Sequence, residues 1–230
     1  MSIRDNLDIS AYLVLGPENT LGRPVGDVVA QALDAGFTCI QVRSKVASAR
    51  EIIALTGDAA QAIAQAGKTD QVALLIDDRL DCVLAAREQG IAVDGVHVGQ
   101  SDIPVEGLPQ TFGPRCHCGP FGPLRGDARV RQDRRHELVD YLASARSTRP
   151  RPSATADARP TALSSPRALR TWPHSTRQAP CHRGGGGVKT ADLPQLKATG
   201  VDGFFVVSAV CSADDPYAAA KELVDTWQQA

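Results

Sequence analysis

Three polar residues at alternate positions, Gln41, Arg43 and Lys45, end a short apolar run of the chain. In an extended strand, residues two apart point to the same face, so this spacing places an amide beside two cations. Arginine offers a bidentate fork to a phosphate and lysine a point charge, which suits a phosphate-bearing ligand. The alternative is a strand end whose charges are only solvated.

Polar residues, three of them acidic, follow the next two apolar runs: Asp77 and Asp78 after the first, Gln100 and Asp102 after the second. Carboxylates from neighbouring strand ends, facing a basic cluster, predict a Mg²⁺ site shared with a diphosphate. The alternative for the first pair is a cap on the helix that follows. His97 alternates with valines, and we interpret it as a core histidine and not a ligand.

A glycine-rich loop at residues 184–188 precedes a predicted helix. Glycines allow backbone N–H groups to approach a phosphate at a helix N-terminus. Ser208 ends the next predicted strand, and two such loops together form the phosphate site that the late strands of a barrel build.

These residues need a scaffold that brings strand ends together. Runs of strand length alternate strictly with segments of helical periodicity, which predicts a parallel sheet covered by helices. We expect one (β/α)₈ barrel of the phosphate-binding type over residues 1–230, with its middle strands disrupted or disordered. The predicted strands are 11–16, 37–43, 71–78, a fourth that together with its loop covers 94–102, and 201–210, and the predicted helices are 25–36, 48–67, 80–90, 189–200 and 215–230.

The bulk composition is that of a globular enzyme: 230 residues, 43% of them hydrophobic, with a net charge of −1. There is neither an apolar run long enough for a membrane span nor a secretory signal, so we expect a cytoplasmic protein without a membrane partner. The near-neutral charge gives no reason to expect nucleic acid.

Residues 107–183 have a different character from the flanks 1–106 and 184–230. They contain 14 arginines and 10 prolines but neither lysine nor isoleucine, and their net charge is +9. Such an Arg/Pro/Ser-rich segment buries too little apolar surface to order itself. Its arginines lack interleaved aromatic residues, which again argues against nucleic acid as a partner.

Five segments resemble the thiamine phosphate synthase family in order and spacing: CIQVRSK, LLIDD, GVHVGQSD, GGGVKT and GVDGFFVVSAV. The resemblance implies a (β/α)₈ barrel that joins a hydroxymethylpyrimidine diphosphate to a thiazole phosphate and releases diphosphate. It implies Mg²⁺ as cofactor and no protein nucleophile. Many such barrels self-associate, so a homo-oligomer is compatible with it.

The resemblance also implies roles for single residues. Gln41, Arg43 and Lys45 match the strand that binds the pyrimidine diphosphate. Asp77 stands at a substrate-binding position where the family usually has asparagine, which puts the family's amide contact in question.

The remaining matches concern the metal and the second substrate. Asp78 and Asp102 match the Mg²⁺ ligands. Gly187, Val207 and Ser208 match the loops that bind the thiazole phosphate.

The family also has a serine, a Thr-x-Thr-Lys loop and a core strand that do not occur in their places here. We interpret residues 107–183 as frameshifted, since shifted readings of 107–122 and 144–154 can encode the serine strand and the Thr-x-Thr-Lys loop. Abundant arginine and proline without lysine or isoleucine is typical of a GC-rich gene read out of frame. A natural disordered insertion is the alternative.

Other functions remain open at this point. A chain without two or three strands would expose sheet edges and could be an inactive binder of phosphorylated ligands. A related barrel that isomerises the thiazole phosphate would need an acid/base residue in the middle stretch, whereas the pair Asp78 and Asp102 favours the synthase.

Overall fold

The computed structural model describes residues 7–99, 102–104, 141–144, 181–183 and 188–230. Strands and helices alternate through the N-terminal part as the periodicity predicts. Its elements are β1 (Ala11–Leu15), α1 (Val25–Ala35), β2 (Cys39–Val42), α2 (Ala49–Gln65), β3 (Ala73–Asp77), α3 (Leu80–Glu88) and β4 (Gly95–His97). The later elements are β5 (Leu142–Ser144), β6 (Cys181–Arg183), a 3₁₀ turn (Thr190–Asp192), α4 (Leu193–Lys197), β7 (Phe204–Val206), α5 (Ser208–Cys211) and α6 (Pro216–Gln229).

Five of the strands form one parallel sheet in the order β4-β3-β2-β1-β7. The last strand therefore pairs with the first, with Ala11 opposite Phe204. A first strand flanked by the second and by the last strand is the neighbour relation that a barrel requires. Strands β5 and β6 form a separate parallel pair. The prediction of a parallel α/β fold is confirmed.

Each strand of the sheet separates two cores. On the outer side, residues such as Leu13 and Ile40 pack with the apolar faces of the helices. On the inner side, Tyr12 and Leu75 share a smaller core with Tyr141, which directly precedes β5. Because Tyr141 belongs to this inner core, the segment carrying β5 lies against the inner face of the five-stranded sheet.

Local signals fix the helix ends. Helix α1 ends at Gly36, whose φ of 106° is in the left-handed region that glycine adopts most readily. Ser48 and Glu51 form a reciprocal capping box at the start of α2. Asp215 accepts a hydrogen bond from the backbone N–H of Ala218 at 3.0 Å and caps α6.

Two predicted elements differ from the observed ones. The strand predicted over 201–210 extends only from Phe204 to Val206, and α5 begins at Ser208. The reason is local, because Val207 leaves the extended region at φ −124° and ψ −89° and its carbonyl accepts the first bonds of α5. The helix predicted over 189–200 is a 3₁₀ turn followed by the short α4, which has a proline in its first turn.

The middle stretch contributes β5 and β6 to the described structure. The serine strand and the Thr-x-Thr-Lys loop proposed for a shifted reading of 107–122 and 144–154 fall almost wholly outside the described residues. None of the helices in the described ranges is long and apolar enough to cross a membrane.

Candidate functional site

The carboxyl ends of β1 and β2 are held together by a close backbone contact. A Cβ atom at Gly16, which follows β1, would lie 1.9 Å from the carbonyl oxygen of Arg43. Only glycine permits this approach. The backbone N–H of Arg43 also donates to the carbonyl of Leu15 at 2.7 Å, so the end of β2 is fixed in place.

The three residues with alternate spacing converge on one carboxylate, Asp77 at the end of β3. Gln41 Nε2 donates to Asp77 Oδ1 at 2.5 Å. The Nε atom of Arg43 lies 3.0 Å from Asp77 Oδ2, and the Nζ atom of Lys45 lies 3.2 Å from the same oxygen. The prediction that Gln41, Arg43 and Lys45 share a face is confirmed.

Asp78 points to the same side as Asp77, although neighbours in a strand usually point apart. Its φ of 58° is in the left-handed region, which reverses the alternation at the end of β3. The ammonium group of Lys45 therefore contacts both Asp77 and Asp78. The capping alternative is wrong, because Arg79 is the residue that precedes α3 and no side chain caps that helix.

Asp102 reaches the group from the segment after β4. Its Oδ2 accepts a hydrogen bond from the backbone N–H of Gly99 at 2.9 Å, and its carboxyl group is near enough to that of Asp78 for each to shift the pKa of the other. The two residues matched to metal ligands are thus brought together. Gln100 and Gly187 lie outside the described residues.

The charges in this cluster shift one another's pKa values. Burial and the neighbouring charge of Asp78 raise the pKa of Asp77 to about 6, against the opposing effect of Lys45 and Arg43. Burial also disfavours ionisation of Asp78, yet the hydrogen bond and charge of Lys45 hold its pKa below the usual value. Burial and contact with Asp78 raise the pKa of Asp102.

Lys45 keeps its positive charge in this cluster. Burial alone would lower the pKa of its ammonium group, but the hydrogen bond to Asp78 and the charge of Asp77 raise it. With Arg43, it gives two positive charges against the three aspartates. The carboxyl groups of the cluster therefore outnumber its cations by one.

The carboxylates fit a magnesium ion in their number and chemistry. Mg²⁺ prefers oxygen ligands and is commonly held by one or two carboxylates, with substrate phosphates and water completing its shell. Asp78 and Asp102 are two such carboxylates, and each shifts the pKa of the other. In the described ranges, no group of three or more His, Cys, Asp or Glu side chains is arranged to hold a metal.

Val207 and Ser208 lie at the same edge of the sheet, after β7 and on the other side of β1 from Gln41. The loop after β1 is attached to this region by two contacts. Arg23 Nη1 donates to the carbonyl of Cys211 at 3.3 Å, and Ser212 Oγ donates to the carbonyl of Asn19 at 3.0 Å. Ser208 begins a helix here and does not end a strand as predicted.

A buried polar network behind Gln41 was not predicted from the sequence. The Tyr12 hydroxyl donates to Gln41 Oε1 and lies 2.9 Å from the Tyr141 hydroxyl. That second hydroxyl lies 2.6 Å from Nδ1 of His97. His97 is a core histidine, as interpreted, but it belongs to the same network as Gln41. A tyrosine in an otherwise apolar strand was the available signal, since a buried hydroxyl needs a partner.

Known proteins resemble this chain over nearly its whole length. The model of the thiamine monophosphate synthase family matches residues 11–210. A thiamine-phosphate synthase of Corynebacterium efficiens is 32% identical over 222 residues, covering 96% of each chain. One of Vibrio campbellii is 32% identical over 220 residues, covering 93% of this chain and 95% of its own.

Solved structures agree with the fold. A thiamine phosphate pyrophosphorylase from Pyrococcus furiosus superimposes with a TM-score of 0.70 at 25% identity, covering 99% of this chain and 98% of its own. A 3-hexulose-6-phosphate synthase superimposes with a TM-score of 0.62 at 16% identity, covering 95% of this chain and 99% of its own. At that identity the second likeness concerns the fold alone.

Proposed function

The chain belongs to the thiamine monophosphate synthase family and is a transferase of that kind, and from that premise we propose that the cluster around Asp77 binds and activates its pyrimidine diphosphate. The observation that carries the proposal is the convergence of Gln41, Arg43 and Lys45 on a single carboxylate at the carboxyl edge of the sheet. In parallel α/β barrels, this edge is where substrates bind.

The reaction needs positioning and charge stabilisation more than it needs a nucleophile from the protein. The bond between the pyrimidine methylene carbon and the diphosphate oxygen breaks, and its electron pair leaves with diphosphate. The thiazole nitrogen then donates its lone pair to the methylene carbon. Arg43 and Lys45 stabilise the charge on the departing diphosphate because they are held at its proposed site by Asp77.

Magnesium has a proposed place beside these cations. Asp78 and Asp102 would hold it, and it would supply further neutralisation of the diphosphate charge. The left-handed backbone of Asp78 serves this arrangement by turning the carboxylate toward the Lys45 side of β3. Calorimetric titration of Mg²⁺ into wild type and into Asp78→Asn, without substrates, tests the ligand role. The variant should bind Mg²⁺ at least about tenfold more weakly.

For the second substrate, we propose the loop that begins at Val207 and Ser208. The backbone turns there from β7 directly into α5, and the contacts of Arg23 and Ser212 hold this turn against the loop after β1. That arrangement brings a thiazole phosphate to the same edge as the pyrimidine diphosphate. Gly187 keeps its proposed place in the same phosphate site.

The decisive experiment measures diphosphate release by the purified full chain with both substrates and Mg²⁺. We expect release that depends on both substrates and is lost on chelation of the metal. If the chain binds pyrimidine diphosphate in calorimetry but releases no diphosphate, the activity is contradicted and the protein is an inactive binder. Release from the single pyrimidine substrate at the same rate would contradict the transfer step.

A further inference from the structure

We propose that Tyr12 is a positioning residue: its buried hydroxyl sets the orientation of the Gln41 carboxamide and, through it, the binding of the pyrimidine ring. The inference rests on the proposed function, because it assigns Gln41 to the pyrimidine half of the substrate. It adds to the site a residue of the barrel interior that has no charge.

The two ends of the Gln41 carboxamide have different partners. Nε2 donates to Asp77 Oδ1 at 2.5 Å, and Oε1 accepts from the Tyr12 hydroxyl. A carboxamide has almost the same shape when its oxygen and nitrogen are exchanged, so only hydrogen bonds distinguish the two orientations. An ionised Asp77 can only accept, and a hydroxyl can donate, so these two neighbours favour the observed orientation.

The hydroxyl of Tyr12 is the last of a chain of donors that leads to Gln41. Its one proton is used on Gln41, so the Tyr141 hydroxyl at 2.9 Å donates to the Tyr12 oxygen. The Tyr141 oxygen in turn accepts from Nδ1–H of His97 at 2.6 Å. Every bond from His97 to Gln41 therefore runs in the same direction, and bonds aligned in this way polarise and strengthen one another.

Packing keeps the Tyr12 ring in place independently of its hydroxyl. The ring is 1% exposed and packs edge-to-face on Tyr141, with ring centroids 5.8 Å apart. It also contacts Phe205, with centroids 6.2 Å apart. Removal of the hydroxyl alone should leave the ring where it is, so the loss would fall on Gln41 and not on the core.

The orientation of the Gln41 carboxamide determines which of its atoms can bind the substrate. Nε2 of Gln41 carries a second proton, which a pyrimidine ring nitrogen can accept. If the carboxamide turned over, an oxygen would face that nitrogen and two acceptors would meet. An unsatisfied polar pair of this kind weakens binding by about tenfold.

The test compares Tyr12→Phe with wild type in steady-state kinetics. We expect KM for the pyrimidine diphosphate to rise about tenfold, with kcat and KM for the thiazole phosphate changed by less than about twofold. Tyr217→Phe is the matched control, because Tyr217 lies on α6 with 43% of its surface exposed. It should leave every constant unchanged.

A double-mutant cycle with Gln41→Ala separates positioning from a structural effect. If Tyr12 acts through Gln41, then Tyr12→Phe should have no further effect on KM when Gln41 is already alanine. Additive losses, or equal rises in KM for both substrates, would overturn the inference. Should Tyr12→Phe fold poorly, Tyr141→Phe gives the second measurement, and it should produce a smaller rise in the same KM.

The proposed function and this inference fail differently. If wild type releases no diphosphate, or if Gln41→Ala leaves the pyrimidine KM unchanged, the proposed role of the cluster is wrong. If Gln41→Ala raises that KM while both tyrosine variants match wild type, the cluster keeps its role and the positioning inference is wrong.

Discussion

The inner and outer faces of the same strands differ in composition toward their carboxyl ends. Toward the helices, β2 and β3 present only aliphatic side chains, such as Ile40, Val42 and Ile76. Toward the interior, the same two strands present Gln41 and Asp77, both almost completely buried. Neighbouring residues of one strand thus serve different purposes.

The difference teaches where stability and chemistry are placed in this molecule. Burial of aliphatic groups on the outer face stabilises the fold in proportion to the area removed from water. Burial of polar groups on the inner face costs free energy unless they bind one another. The network from His97 through Tyr12 and Gln41 to Asp77 provides those partners. Substitution at the partly exposed end of the inner face, at Arg43, should therefore affect function with little loss of stability.

The largest expected effect is on the outer face. Ile40→Ala should lower the free energy of unfolding by about 4 kcal/mol, because the side chain is fully buried and its removal leaves a cavity. Urea denaturation measures the loss, and the kinetic constants of the remaining folded protein should match wild type. Leu84→Ala, at a position 39% exposed, should cost less than about 1 kcal/mol. If Ile40→Ala changed KM without changing stability, the outer face would not serve stability alone.

The second-largest expected effect is the loss of activity when Arg43, on the inner face of the sheet, is replaced. Arg43→Gln should reduce kcat/KM roughly 100-fold, because it removes one of two cations that stabilise the leaving diphosphate. The midpoint of thermal unfolding should stay close to that of wild type, since Arg43 is only partly buried. Arg50→Gln, an exposed position on α2, is the control with the same change of charge. Loss of activity that follows loss of folded protein would argue against the separation of the two faces.

The buried His97 should make the free energy of unfolding fall as the pH is lowered. Burial lowers the pKa of His97 to about 4, below the usual 6.5. Between those values the unfolded chain takes up a proton that the folded chain does not, so stability falls as the pH is lowered. Between about pH 7 and about pH 5, wild type should lose about 2 kcal/mol more than His97→Gln.

Asp77 contributes with the opposite sign in the same range. Because its pKa is raised to about 6, the folded chain takes up its proton first and is stabilised as the pH falls. Both proteins contain Asp77, so the difference between their urea curves isolates His97. Parallel loss of stability in the two proteins would show that the histidine is not the cause.

The smallest effect is expected at the exposed start of α2, which belongs to neither face of the sheet. Ser48→Ala removes the capping box of α2 and should cost about 1 kcal/mol, with no change in kcat or KM. Ser48→Asp retains an acceptor at the same position and should restore most of the stability. If the alanine variant changes KM, the start of α2 is coupled to the site, and the two faces are less independent than we infer.

Much of the fold was predictable because it depends on local patterns. The alternation of apolar strands and amphipathic helices predicted β1 to β4 and α1 to α3 near their observed bounds. The two-residue spacing from Gln41 to Lys45 was enough to place all three on one side, since that spacing is a property of any extended chain. The strand predicted over 201–210 was too long, because an apolar run does not distinguish the end of β7 from the start of α5.

The sequence by itself determined which residues could carry charge at the strand ends, and that these strands run in parallel. Only the tertiary structure decided that Asp78 joins Asp77, because its left-handed φ of 58° cancels the strand alternation. It also decided that Tyr12 meets Tyr141, 129 positions away, and so fixes Gln41. The physical reason is that periodicity is local, whereas a buried hydroxyl takes its partner from whichever segment the folded chain brings beside it.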